Sequence, residues 1–150
     1  MKYRSDFVTN SSSSSFIVVF DNEDEAKNAF NKMRADGLDE KYARVIADDI
    51  ISKRCTYEEA CIEVVQNVSA YLEYRQAFPD RKGWFWDDPD YDRLTREKEA
   101  RILKAFKQRV PEDKYVAILE YGDEDGSFYS ALEHEIMGDL DFVDCRISYH

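Results

Sequence analysis

The sequence predicts an α+β fold in which a small sheet of about three strands is covered by four main helices. Three observations lead to this prediction. A continuous apolar run of β-prone residues, Phe16 to Phe20, is typical of a strand buried on both faces. Near the other end, Val143, Cys145, Ile147 and Tyr149 alternate with polar residues, as in a half-buried strand. Between these runs, apolar residues recur at the spacing of amphipathic helices.

Length and composition predict one domain, residues 1–150. A chain of 150 residues that is 43% hydrophobic can bury a sizeable core, and it contains no long linker. The serine-rich segment 1–15 allows two interpretations, because its hydroxyls can bond neighbouring backbone groups or the segment can be poorly ordered.

The first two helices are predicted from their caps. Asp21 or Asn22 can cap a helix that should end at Gly37, a residue suited to the left-handed conformation that follows a helix. Asp39 can begin the second helix, whose apolar face carries Val45, Ile46 and Ile50.

Two longer helices should follow. Thr56 and Glu59 have the spacing of a capping box, and the helix that they begin is predicted to run to about Ala77 as the longest element. Asp88 followed by Pro89 is a favourable start for a helix over about 90–108.

The C-terminal third should contain the remaining strands. The segment from Tyr115 to Tyr121 is predicted to be a strand, and the acidic stretch up to Gly126 a turn. A short helix from Phe128 to Met137 is expected next, with a strand as the alternative. The helix is favoured because Ser130 and Glu133 have capping-box spacing.

Charge and cysteine content narrow the function classes. A net charge of −11 argues against a nucleic-acid-binding surface. It favours a protein partner with a basic surface, and the alternative is that the charge serves only to keep the protein in solution. Cys55, Cys61 and Cys145 are an odd number without Cys-x-x-Cys spacing, as expected of reduced, mostly buried thiols in a cytoplasmic protein. No apolar run is long enough for a membrane span or a signal peptide, so we expect neither membrane association nor export.

Both histidines of the chain fall in its acidic C-terminal third, which makes this region a candidate metal site. The residues concerned are Asp123, Asp125, Glu133, His134 and His150. Imidazole and carboxylate are ligands of zinc, manganese and iron. However, the second histidine of a His-Glu-x-x-His helix is absent, and the turn does not fit a calcium-binding loop. The alternative is that these residues only form the turn and the surface of the helix. We therefore predict no cofactor, and binding of a divalent metal is the open alternative.

A second candidate site is the loop after the third helix, which contains three consecutive large aromatic residues. The residues are Trp84, Phe85, Trp86, Asp87 and Asp88. Such an amphipathic group can anchor a protein interface, including self-association, or fold back as a lid on the core.

The N-terminus carries the run Thr9-Asn10, five serines, Phe16-Ile17. This run resembles a signature at the start of small uncharacterised bacterial and phage-encoded proteins. The resemblance covers about the first twenty residues and implies no known reaction.

These observations favour an acidic, non-enzymatic protein-binding module. A phage or mobile-element inhibitor of a basic nucleic-acid-binding host protein would fit, because carboxylates can compete with phosphate for a basic groove. The alternative is a small metal-dependent hydrolase that uses the C-terminal Asp/Glu/His residues.

Overall fold

The centre of the fold is a three-stranded antiparallel sheet. The computed structural model describes residues 13–149. Strand β1 (Ser13–Phe20) lies between β2 (Tyr115–Gly122) and β3 (Val143–Ser148), so the order is β2-β1-β3. Both pairings are antiparallel, and the pairing of β1 with β3 is irregular between Ile17 and Val18. The three strands confirm the α+β prediction.

Strand β1 begins three residues earlier than predicted. Ser13, Ser14 and Ser15 pair with Gly122, Tyr121 and Glu120 of β2, and Ser14 and Ser15 are buried. Ser13, Ser14 and Ser15 therefore belong to the sheet, which satisfies their backbone groups. Ser11 and Ser12 lie outside the described residues.

The two faces of β1 belong to two hydrophobic clusters, which confirms that the strand is buried on both sides. Phe16, Val18 and Phe20 contribute to one cluster, whereas Ile17 contributes to the other. Since successive side chains of a strand point to opposite faces, one apolar run serves both clusters.

Seven α-helices lie within the described residues. They are α1 (Glu23–Lys27), α2 (Ala29–Ala35), α3 (Glu40–Ser52), α4 (Tyr57–Val64), α5 (Tyr71–Ala77), α6 (Pro89–Arg109) and α7 (Ser127–Ala131). The first predicted helix is divided at Asn28, and Asn22 caps it as predicted. Gly37 has a φ of 95°, the left-handed conformation expected after the helix.

The predicted helix from Thr56 to Ala77 is wrong as one element. The capping box of Thr56 and Glu59 is present, but α4 ends at Val64 and α5 begins at Tyr71. Asn67 between them has a φ of 63°, which a right-handed helix cannot contain. The longest helix is instead α6, with 21 residues and the predicted cap at Asp88.

The segment between β2 and β3 is helical, but its start differs from the prediction. A 3₁₀ turn (Asp123–Asp125) precedes α7, then a π-helical turn (Leu132–Ile136) and a second 3₁₀ turn (Met137–Asp139) follow. The predicted capping box of Ser130 and Glu133 is absent. Gly126 precedes α7 instead. Glu133 lies after the end of α7, in the π-helical turn, and its side chain is buried.

The three cysteines are free thiols, and each is half-buried. Among the helices of residues 13–149, none combines the length and the apolar character that crossing a membrane requires.

Candidate functional site

A buried carboxylate, Glu133, lies where the helical segment after β2 meets the sheet. The side chain of Glu133 is about 1% exposed. The π-helical turn, a conformation frequent at functional sites, carries this residue and the neighbouring His134. Asp123 comes from the 3₁₀ turn after β2, whereas Ser14 and Arg146 come from β1 and β3. We call these five residues the polar cluster.

The inner half of the polar cluster stabilises the charge of Glu133. The Ser14 hydroxyl donates to Oε2 of Glu133 at 2.7 Å, and Nη2 of Arg146 lies 3.5 Å from the same oxygen. Nε of Arg146 donates to the Ser14 hydroxyl at 3.0 Å. Because a buried carboxylate is costly without hydrogen bonds, these contacts explain how Glu133 is tolerated between sheet and helix.

The outer half of the polar cluster is open to solvent. Nε2 of His134 lies 2.7 Å from Oδ1 of Asp123 and 3.2 Å from Oε1 of Glu133, and the His134 side chain is 41% exposed. One potential ligand atom from each of these three residues lies within 4.8 Å of the others. This is a donor set for zinc, manganese or iron, provided that His134 is neutral. Arg146 competes with a cation for the carboxylate of Glu133.

The structure brings together three of the five residues predicted as metal ligands. Asp123, Glu133 and His134 form the group just described. Asp125 is exposed on the same turn but does not belong to that group, and His150 lies outside the described residues.

The second candidate site is an exposed group of aromatic side chains in the loop between α5 and α6. Trp84 and Trp86 are 78% and 62% exposed. Phe85 between them is half-buried, and its ring centroid lies 4.7 Å from that of Tyr71 and 4.2 Å from that of Trp86. We call Tyr71, Trp84, Phe85 and Trp86 the aromatic patch. The lid interpretation therefore applies to Phe85 and not to the two tryptophans.

Ring contacts and hydrogen bonds hold the loop of the aromatic patch in place. Residues Phe85–Asp87 form a 3₁₀ turn, and Phe85 also packs edge-on against Tyr91 of α6 at 4.8 Å. Asp88 accepts hydrogen bonds from the Tyr74 hydroxyl at 2.5 Å and from Arg81 at 2.9 Å, and it caps α6.

The two predicted partner-binding aspartates differ in their surroundings. Hydrogen bonds from Tyr74, the α6 backbone and Arg81 hold the pKa of Asp88 below its usual value. The carboxylate of Asp88 is therefore engaged inside the protein, whereas Asp87 is exposed and available to a partner.

Reasoning from sequence did not identify Ser14 and Arg146 as site residues. The available signal was weak: Arg146 and Ser148 are the polar members of an alternating strand, and Ser14 is one of five identical residues. A partner 119 positions away in the sequence, as Glu133 is for Ser14, leaves no local pattern.

Comparisons with models of known protein families, with curated proteins and with solved structures found no match to this chain.

Proposed function

We propose that this protein is a non-enzymatic binding module that uses the aromatic patch to hold a partner protein with a basic surface. The observation that supports this most directly is the exposure of Trp84 and Trp86 on a loop fixed from beneath by Phe85. Tryptophan is enriched among residues that dominate binding energy at protein interfaces, and large exposed aromatic side chains commonly mark interaction sites.

The fixed loop lowers the cost of binding. Phe85 is packed against Tyr71 and Tyr91, and Asp88 ties the end of the 3₁₀ turn to Tyr74. Because the backbone of the turn is already ordered, binding loses less conformational entropy than it would with a flexible loop.

Charge favours a basic partner. The net charge of −11 speeds the approach of a positively charged protein, and lysine or arginine side chains can lie against the faces of exposed tryptophans. Proteins that bind nucleic acids carry such basic surfaces, so a host protein of that class is the partner that we propose. The module would then compete with phosphate for the same groove.

The test is capture of bacterial lysate proteins on the immobilised full chain. Wild type, a Trp84→Ala/Trp86→Ala double variant and Ile62→Ala are compared at low salt and at about 0.5 M salt. Ile62 is a matched control because it is 62% exposed, like Trp86, but lies on α4. We expect a basic protein that wild type and Ile62→Ala retain, that the double variant loses and that salt weakens.

The interaction is then repeated with the purified partner and followed by intrinsic fluorescence. Trp84 and Trp86 are the two tryptophans of the chain, so a change in emission reports on the aromatic patch itself. Equal binding by wild type and the double variant, or capture of acidic proteins alone, would contradict the proposal.

A second candidate function is divalent metal binding at the polar cluster, and with it metal-dependent hydrolysis. The specific observation in its favour is that potential ligand atoms of Asp123, Glu133 and His134 lie within 4.8 Å of one another. A metal at such a site activates water, and a neighbouring carboxylate can accept the proton.

Thermal unfolding in chelator and then with zinc or manganese tests this candidate. Metal at about a hundred times its dissociation constant should add roughly 2.7 kcal/mol to the free energy of unfolding. His134→Ala should abolish this gain, whereas Asp125→Ala, on the same turn but outside the group, should retain it. An unchanged melting temperature in every metal would rule the site out.

A further inference from the structure

A groove of about 490 Å³ lies between β3 and α6. The bend that separates α4 from α5, residues 66–69, closes one side of it. Its volume is within the range of small-molecule sites, which is about 300–1,000 Å³.

One part of the groove wall is apolar. The side chains concerned are Val64, Val68, Ile102, Ala105 and Ile147. Asn67 also lines the groove, and its amide Nδ2 donates to the backbone oxygen of Ser148 at 2.6 Å. This bond attaches the bend to the end of β3, so two elements far apart in sequence form one rigid wall.

The charged residues of the wall are all cations. Lys98, Arg109 and Arg146 line the groove, and within residues 13–149 no aspartate or glutamate lines it. The guanidinium of Arg146 lies with Ser14 and Glu133 on the opposite face of the sheet, so Lys98 and Arg109 are the two cations that the groove can offer a ligand.

The charge of the groove wall is the reverse of that of the chain as a whole, which has 32 acidic and 21 basic residues. Two smaller cavities, of about 370 and 330 Å³, are lined by several carboxylates. A cavity of about 500 Å³ along α6 has Lys104 and Lys107 in its wall.

Carboxylates outside the wall fix the positions of the cations. Nζ of Lys98 lies 3.0 Å from Glu73, and Nη2 of Arg109 lies 2.8 Å from Asp144. These ion pairs reduce the net charge, but they also hold the donors in place, which lowers the entropy lost when a ligand binds.

Arg109 has a donor that its ion pair does not use. Nε and Nη2 of Arg109 bond Asp144, and among the residues that the structure describes its Nη1 has no hydrogen bond. A carboxylate in the groove can therefore accept a hydrogen bond from Arg109 without breaking the existing ion pair.

We propose that this groove binds a small amphipathic carboxylate, with its apolar body against Ile102 and Ala105 and its charged end toward Lys98 and Arg109. Selectivity for the anion arises at short range, because the net negative charge of the chain repels anions from a distance. At physiological salt this repulsion is screened beyond about 8 Å. The groove is thus a ligand site in addition to the aromatic patch.

The test uses octanoate as probe and the ¹⁵N-labelled full chain, with chemical shifts followed by NMR. Octanamide, which has the same apolar body without the charge, and inorganic phosphate, which has charge without the body, are titrated in parallel. We expect saturable shifts centred on Asn67, Ile102 and Ser148 with octanoate, and at least tenfold weaker binding of the other two probes.

Two groove variants and one control complete the design. Lys98→Gln removes a cation from the wall and Ala105→Leu fills space beside it, so each should weaken octanoate binding at least about fivefold. Lys104→Gln, an exposed cation on the same helix outside the groove, should bind as wild type does. The dispersion of the same spectra shows that each variant is folded.

The outcomes separate the possibilities. Equal affinity for octanoate and octanamide would overturn the anion site, and phosphate binding as tight as that of octanoate would overturn the role of the apolar wall. Octanoate binding unchanged by both groove variants would overturn the location. Loss of binding in the groove variants alone would support the proposal.

Discussion

Replacing Ser14 by alanine tests whether the polar cluster is a rigid part of the fold. Ser14 is fully buried, donates to Glu133 at 2.7 Å and accepts from Arg146 at 3.0 Å. Alanine removes both bonds with little change in volume, and it leaves the carboxylate of Glu133 without this donor. Since a hydrogen bond to a charged group contributes about 1.5–3 kcal/mol, we expect the free energy of unfolding to fall by about 2–3 kcal/mol.

Urea unfolding and thermal melts measure this loss. For a domain of this size 1 kcal/mol corresponds to roughly 2–4 °C, so the melting temperature should fall by about 4–12 °C. Ser13→Ala is the matched control: Ser13 lies next to Ser14 in β1 but is half-buried, and its replacement should cost less than about 0.5 kcal/mol.

A double-mutant cycle shows whether the loss belongs to the Ser14–Glu133 pair. Ser14→Ala and Glu133→Gln should be coupled by at least about 1 kcal/mol, because each removes part of the same charged hydrogen bond. Equal destabilisation by Ser13→Ala and Ser14→Ala, or additive effects in the cycle, would show that the hydrogen bond between Ser14 and Glu133 does not stabilise the fold.

Two further predictions concern the bend at Asn67 and the half-buried thiols. Asn67→Ala should destabilise by about 1–2 kcal/mol, because alanine disfavours the left-handed conformation and cannot bond Ser148. Asn67→Gly should cost less in the same urea melts, and an equal cost would contradict the conformational argument. Burial raises the pKa of Cys145 to about 12 and that of Cys55 to about 11. Unfolded thiols ionise near about pH 8.5, so their contribution to stability is complete below that pH and is lost as the pH rises toward about 12. Cys145→Ala should therefore lose less stability than wild type between about pH 8 and pH 10, whereas equal losses would show that the thiol does not contribute.

The polar cluster and the groove share Arg146. Its guanidinium contacts Ser14 and Glu133 on one side, and the same residue lines the groove between β3 and α6. Because this guanidinium lies on the face of the sheet opposite to Ile147, substitutions of Arg146 change the polar cluster, whereas Lys98→Gln changes the groove.

Features that depend on neighbouring residues were predictable from the sequence. The caps at Asn22, Asp39, Thr56 and Asp88 are all present, since a capping bond joins residues two or three positions apart. The pattern of apolar residues likewise identified the strands and the α+β class. Burial of one face produces a two-residue period in a strand and a period of about 3.6 residues in a helix, and both can be recognised within a short segment. The region around His134 was also identified as a candidate site from composition alone.

Features that depend on distant contacts were decided only by the tertiary structure. The helix from Thr56 breaks at Asn67, whose side chain bonds Ser148, 81 positions away. Glu133 has capping-box spacing to Ser130, yet its carboxylate accepts a hydrogen bond from Ser14 in the central strand of the sheet. Trp84 and Trp86 are exposed whereas Phe85 is packed, although all three are aromatic neighbours. In each case the local sequence permits several conformations of similar energy, and contacts between distant segments select one of them.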